Sequence, residues 1–111
     1  MRENGLDLQF YVVEIRKIAA AHQSGLSLLE AKRQVDSTIQ HMRINLRDDK
    51  SYQARQWSTL LDALKTYNRN TVDPRWAKVI NHANFRIKSR LNTVIYYRKR
   101  LREQRSSQKD I

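Results

Sequence analysis

PRWAKVINHANFRIKSRLNTVIYYRKRLREQR, residues 74–105, is the stretch that decides the fold. It contains no Gly, and its one Pro stands first. Pro suits the first helical position because it has no N–H to leave unpaired, and Asp73 before it can cap the free N–H groups of a first turn. Apolar residues recur at Trp76, Ile80, Ala83, Ile87, Leu91 and Val94, the three- and four-residue spacing of one helical stripe. At about 100° per residue the opposite face carries Arg75, Lys78, His82, Phe85, Arg86, Ser89, Thr93, Tyr96 and Arg100. Past Tyr97 the core-side positions become Arg98 and Arg105, with only Leu101 apolar, so the helix is expected to leave the core there.

Three more helices precede it. Leu8, Tyr11, Val12, Ile15, Ile18 and Ala19 form the main stripe of a first helix that Gly25 ends, since Gly takes left-handed backbone angles at little cost. Phe10, Val13 and Ala20 lie on its other side, which implies either burial on two faces or contact with another chain. Ser27-Leu28-Leu29-Glu30 has the form of a capping box, and Leu28, Ala31, Val35, Ile39, Met42 and Leu46 make the stripe behind it. Ile44 points away from that stripe. A polar corner follows, in which Asp48 or Asp49 caps a third helix carrying Ala54, Trp57, Leu60, Leu61, Leu64 and Tyr67.

These stripes and short links predict an all-α protein: a small four-helix up-down bundle with a long basic C-terminal helix projecting from the core. The expected helices span about 7–22, 28–46, 51–68 and 74–105, all in one domain over residues 1–105, with 106–111 a disordered tail. A three-helix core with a protruding fourth helix is the main alternative. Tyr11, Trp57, Tyr67 and Trp76 are the expected aromatic part of the core.

Charge separates the C-terminal helix from the rest. The chain of 111 residues has 22 Lys+Arg against 11 Asp+Glu, a formal net charge of +11. Residues 1–73 hold 11 basic and 9 acidic residues, whereas residues 74–111 hold 11 basic and 2 acidic ones. An excess so placed points to a phosphate backbone, an anionic membrane or an acidic protein. The outer face of the last helix has no broad apolar side left for lipid, which ranks the membrane surface last. No run approaches the ~20 apolar residues of a membrane span, and residues 1–20 lack the order of a signal peptide. With no Cys in the chain, these features suit a cytoplasmic protein.

Little in the sequence supports enzymatic chemistry. The absence of Cys removes thiolate nucleophiles and Cys-based zinc sites. His22, His41 and His82 fall into no metal-ligand spacing, and each is better read as a surface or half-buried structural residue. Gly5 and Gly25 are isolated, so there is no phosphate-cradling loop. The expectation is a non-enzymatic protein with no cofactor, no metal and no small-molecule substrate.

The expected function is that of a basic accessory protein that binds DNA or RNA, with a regulatory rather than a chemical role. Arg75, Lys78, Arg86, Arg90, Arg98, Lys99, Arg100 and Arg102 would meet phosphates, while Phe85 and Tyr96 would stack on bases or contact sugars. A helix-turn-helix reading is weak, because the link over residues 69–73 is long and lacks Gly. The alternative is a helical adaptor or inhibitor that docks on a larger protein or nucleoprotein complex, its basic face meeting an acidic surface. Phe10, Val13 and Ile44 would then mark the protein interface, or the contact of a homodimer.

Overall fold

A computed structural model describes the backbone of residues 7–69 and 73–109, and the side chains of residues 7–66 and 73–105. The chain forms four helices, α1 (Leu8–Gln23), α2 (Leu28–Asn45), α3 (Lys50–Arg69) and α4 (Pro74–Lys109), with no strand among the described residues. α4 continues beyond the expected end near residue 105, while the remainder of the expected tail, 110–111, lies outside the described residues.

Each helix start is held by a short polar side chain. Asp7 accepts from the Gln9 N–H at 3.0 Å, and Ser27 from that of Glu30 at 3.1 Å. Asp49, rather than Asp48, caps α3 by accepting from the Tyr52 N–H at 3.0 Å, and Asp73 accepts from that of Arg75 at 2.8 Å. Only the serine half of the expected capping box is formed. The Glu30 carboxylate instead accepts from Gln34 at 3.3 Å and lies 3.8 Å from Arg33, because both residues stand within one turn of it on α2. The end of α1 is a Schellman motif: Leu26 N–H donates to Ala21 O at 2.9 Å and Gly25 N–H to His22 O at 3.2 Å. Gly25 has φ +124°, where a Cβ would be strained.

The core is one apolar cluster drawn from all four helices, and no charged side chain is buried among the described residues. Tyr11, Val12, Ile15, Ile18 and Ala19 of α1 are buried as their spacing predicts, as are Ala31, Val35, Ile39 and Met42 of α2. Trp57, Leu60 and Leu64 from α3 and Ile80, Ala83 and Ile87 from α4 complete the centre. Trp76 is half-buried at the margin rather than central, and Tyr67 lies outside the described side chains. Val79 and Tyr52 join the core although neither belongs to its helix's expected stripe.

The packing scheme explains Val79. α1 and α4 pack against each other, and each also packs against both α2 and α3, whereas the backbones of α2 and α3 do not approach closely among the described residues. α4 therefore has neighbours on three sides, and its buried arc is wider than one stripe. This also departs from a simple ring in which each helix packs on the next.

The buried arc ends abruptly. Between Ile95 and Arg105 no residue is buried, and only Arg98 is half-buried. The 36 residues of α4 make a rod of about 54 Å at ~1.5 Å per residue, and the longest extent of the molecule is 61 Å. The radius of gyration of 16.4 Å exceeds the ~13 Å of a compact chain of this length.

Candidate nucleic-acid interface

α4 presents its cations in two settings. The first is the half that lies on the bundle. Arg75 is exposed and bonded back to the cap of its own helix, its guanidinium 3.4 Å from the Asp73 carboxylate. Arg86 is also exposed, but its Nε lies 3.3 Å from Asp36 Oδ1 of α2. His82 Nε2 donates to that same oxygen at 2.9 Å. Lys78 is exposed and belongs to no ion pair among the described residues. Phe85 is 68% exposed and forms a ridge between two shallow grooves. One groove continues along α4 over Lys88, Ser89, Asn92 and Thr93, and the other crosses to Leu28 and Lys32 of α2.

Arg90 differs from the rest. It is half-buried, and its Nε is buried without a hydrogen-bond partner. Burial, and then the charges of Arg43 and Arg86, hold its pKa below the usual arginine value. The guanidinium nevertheless stays charged, since arginine does not lose its proton in proteins.

The second setting is the half that extends past the core. Tyr96 is 56% exposed and meets Tyr97 edge-to-face with ring centroids 5.4 Å apart. Lys99, Arg100 and Arg102 are exposed, Arg98 is half-buried, and none of the four is in an ion pair among the described residues. Glu103 is the single carboxylate between Ile95 and Arg105. At about 100° per residue, Arg98, Lys99 and Arg100 point three different ways, with Arg102 between the first two. The expected binding residues therefore do not share one face. Arg98 and Arg102 stand on the side that continues the core stripe, and Arg86 is committed to Asp36. The sequence reading missed Arg43 and Asp36, which lie far from α4 in the chain and come to it only through packing.

The expected protein-contact residues divide as well. Phe10 is 48% exposed and Ile44 is 67% exposed, whereas Val13 is half-buried. Phe10 meets Tyr11 edge-on at 5.1 Å and lies 6.1 Å from the His41 ring. Together with Glu14, Ser37 and Thr38 these residues line a shallow recess between α1 and α2. Tyr11 Oη and His41 Nδ1 are hydrogen-bonded at 2.9 Å, and burial raises the Tyr11 pKa.

Each histidine has a structural partner: His22 donates from Nδ1 to Leu26 O, His41 bonds Tyr11, and His82 bonds Asp36. Among the described residues no three His, Asp or Glu side chains come together as a metal site. Nor is any described helix long and apolar enough to cross a membrane. The chain matches no family model, and no curated protein or solved structure matches it at a significant level.

Proposed function

We propose that this is a small helical accessory protein that binds nucleic acid through α4, contacts the phosphate backbone and performs no chemistry on it. The distribution of ion pairs carries the reading. Six of the described cations up to Arg86 face a carboxylate: Lys17 with Glu14, Arg33 with Glu30, Arg47 with Asp49, Lys50 with Asp48, Arg75 with Asp73 and Arg86 with Asp36. Past Arg86, α4 enters no ion pair among the described residues. A helix about 10–12 Å across, with cations on several sides, suits a groove about 12 Å wide between two phosphate walls better than a flat surface. In this reading the helices alternate in direction as an up-down bundle, and the protein works in the cytoplasm as a regulatory subunit. The bundle holds the base of α4 while its far half is presented to the ligand.

The test is binding to labelled duplex DNA, single-stranded DNA and RNA over a range of salt. The expected result is affinity that falls steeply as salt rises, because each neutralised phosphate releases a condensed counterion. Absence of binding to all three at ~50 mM salt, where such contacts are strongest, would remove the reading.

A second reading has its own observation. Phe10 and Ile44 are both exposed, Phe10 beside the His41 ring and Ile44 three residues after His41 on α2. Such an apolar edge suits an adaptor or inhibitor docked on a larger protein or complex, or a homodimer, with α4 meeting an acidic surface.

A further inference from the structure

α2 and α4 lie side by side, with Asp36 facing His82 and Arg86. Seven residues after Asp36, nearly two full turns, the same side of α2 carries Arg43. Four residues after Arg86 the same side of α4 carries Arg90. The upper part of this seam is neutralised by Asp36. The lower part is not: no Asp or Glu occurs between Ser37 and Arg47, or between Ile87 and Arg102. Beyond it, Asp49 caps α3 and faces Arg47, and Asp48 faces Lys50. Arg43 and Arg90 thus continue the facing sides of the two helices, near enough for the charge of one to act on the other, along a stretch where neither helix supplies a carboxylate.

We propose that Arg43 and Arg90, with Arg86 at the margin, form a phosphate-binding site along the seam of α2 and α4. Resting on the proposed function, the occupant is one phosphate of a nucleic-acid backbone.

Three features support the site. Arg90 has a buried Nε–H with no acceptor, so the fold itself gives that nitrogen no hydrogen bond. Its guanidinium is half-buried, so it is held in place by its surroundings and loses less freedom on binding. Arg43 is exposed and can close over a ligand from the other helix. Guanidinium groups match the oxygens of phosphate two at a time, a geometry that an ammonium does not reproduce. An anion would also remove the repulsion that gathers on Arg90 from Arg43 and Arg86. The site joins the two settings of α4, since Tyr97 follows Arg90 by seven residues on nearly the same side. A phosphate seated there would fix the register of a strand running on toward Arg100.

The test uses Arg43→Gln, an exposed position whose change leaves the core untouched, alongside Arg90→Lys and Arg33→Gln, an α2 control paired with Glu30. The first arm is a salt titration of duplex binding. Arg43→Gln should flatten the slope of log K against log salt by about 0.9 and weaken binding roughly eightfold at ~0.1 M salt. The second arm is thermal melting in 10 mM inorganic phosphate against chloride of the same ionic strength. Phosphate should raise the midpoint of the parent and of Arg33→Gln more than that of Arg43→Gln or Arg90→Lys. If the parent binds duplex and Arg43→Gln leaves its slope unchanged, the site is overturned. If the parent binds no nucleic acid, melting decides: a phosphate increment lost in Arg43→Gln keeps the site as one for free phosphate while the nucleic-acid function falls. Equal increments in all four proteins then overturn the site too.

Discussion

Replacing Arg98, Lys99, Arg100 and Arg102 together by Gln separates binding from folding in this molecule. None of the four is in an ion pair among the described residues, and nothing between Ile95 and Arg105 is buried. Each unpaired surface position of this kind changes stability by no more than about 0.5 kcal/mol, so the four together are bounded at ~2 kcal/mol and the melting midpoint should stay within about 10 °C of the parent. Binding should respond very differently. Each cation that meets a duplex phosphate contributes about 0.9 to the slope of log K against log salt. Successive residues of a helix point about 100° apart, so a helix laid flat on a backbone can use roughly two of the four. A helix inside a groove has phosphate walls on both sides and can use all four. The variant should therefore lose about 3.6 units of slope if α4 enters a groove, and about 1.8 if it lies flat. The first loss corresponds to an affinity term that falls roughly 150-fold between ~50 and ~200 mM salt, the second to about 12-fold. Fluorescence anisotropy of a labelled duplex, titrated at four or five salt concentrations, reads both quantities. A slope equal to the parent's would refute the assignment of these cations to phosphate contacts. A fall in melting midpoint well beyond about 10 °C would show that the segment is packed after all.

Three further outcomes are expected. Ile87→Ala, at a fully buried position where α4 crosses the core, should cost about 2–5 kcal/mol in denaturant unfolding, and a change below ~1 kcal/mol would contradict the packing described. The backbone N–H groups of Tyr52 and Arg75 hold the Asp49 and Asp73 carboxyls below the usual carboxylate range, so the stability they confer is complete above the unfolded value of about 4 and is lost as pH falls through the depressed folded values. The double variant Asp49→Asn, Asp73→Asn keeps residues able to cap and should show a flatter loss of stability below about pH 4, whereas an unchanged acid limb would place the titration elsewhere. Phe10→Glu with Ile44→Lys should leave the melt intact and, if that edge contacts a copy of the chain, lower the mass measured by sedimentation; a large loss of stability would instead assign Phe10 to the fold.

The helices were legible because each carries its own boundary chemistry. Ser27 and Asp73 are read from their positions alone, and both cap as that chemistry requires. Gly25 is equally local, since its left-handed turn depends on the absence of a Cβ and on nothing distant. The width of a buried face is different. Val79 lies about 100° from Ile80, on the flank of the sequence stripe, and is fully buried because α4 is enclosed by three helices. Tyr52 enters the core at the α2–α3 corner, where the Arg47 guanidinium lies 4.1 Å from its ring centre. Stripe arithmetic treats a helix as having one neighbour, so it underestimates the most enclosed helix.

The site was legible as a composition and not as a geometry. The surplus of Arg and Lys after residue 74 is visible in the sequence, and so is the loss of apolar spacing after Val94 that frees the helix from the bundle. Which cations are available to a ligand depends on where the acids fall, and the relevant acid is 46 positions from its histidine partner. Asp36 removes Arg86 from the set of free charges and orients His82, and no spacing rule on α4 could reveal it. The same packing adds Arg43, which on its own helix reads as an ordinary solvated arginine. Its significance comes from standing beside an arginine whose buried Nε has no acceptor. The proposed phosphate contact thus rests on unmatched charge between helices. The residues that lead to it are those whose expected partner is missing.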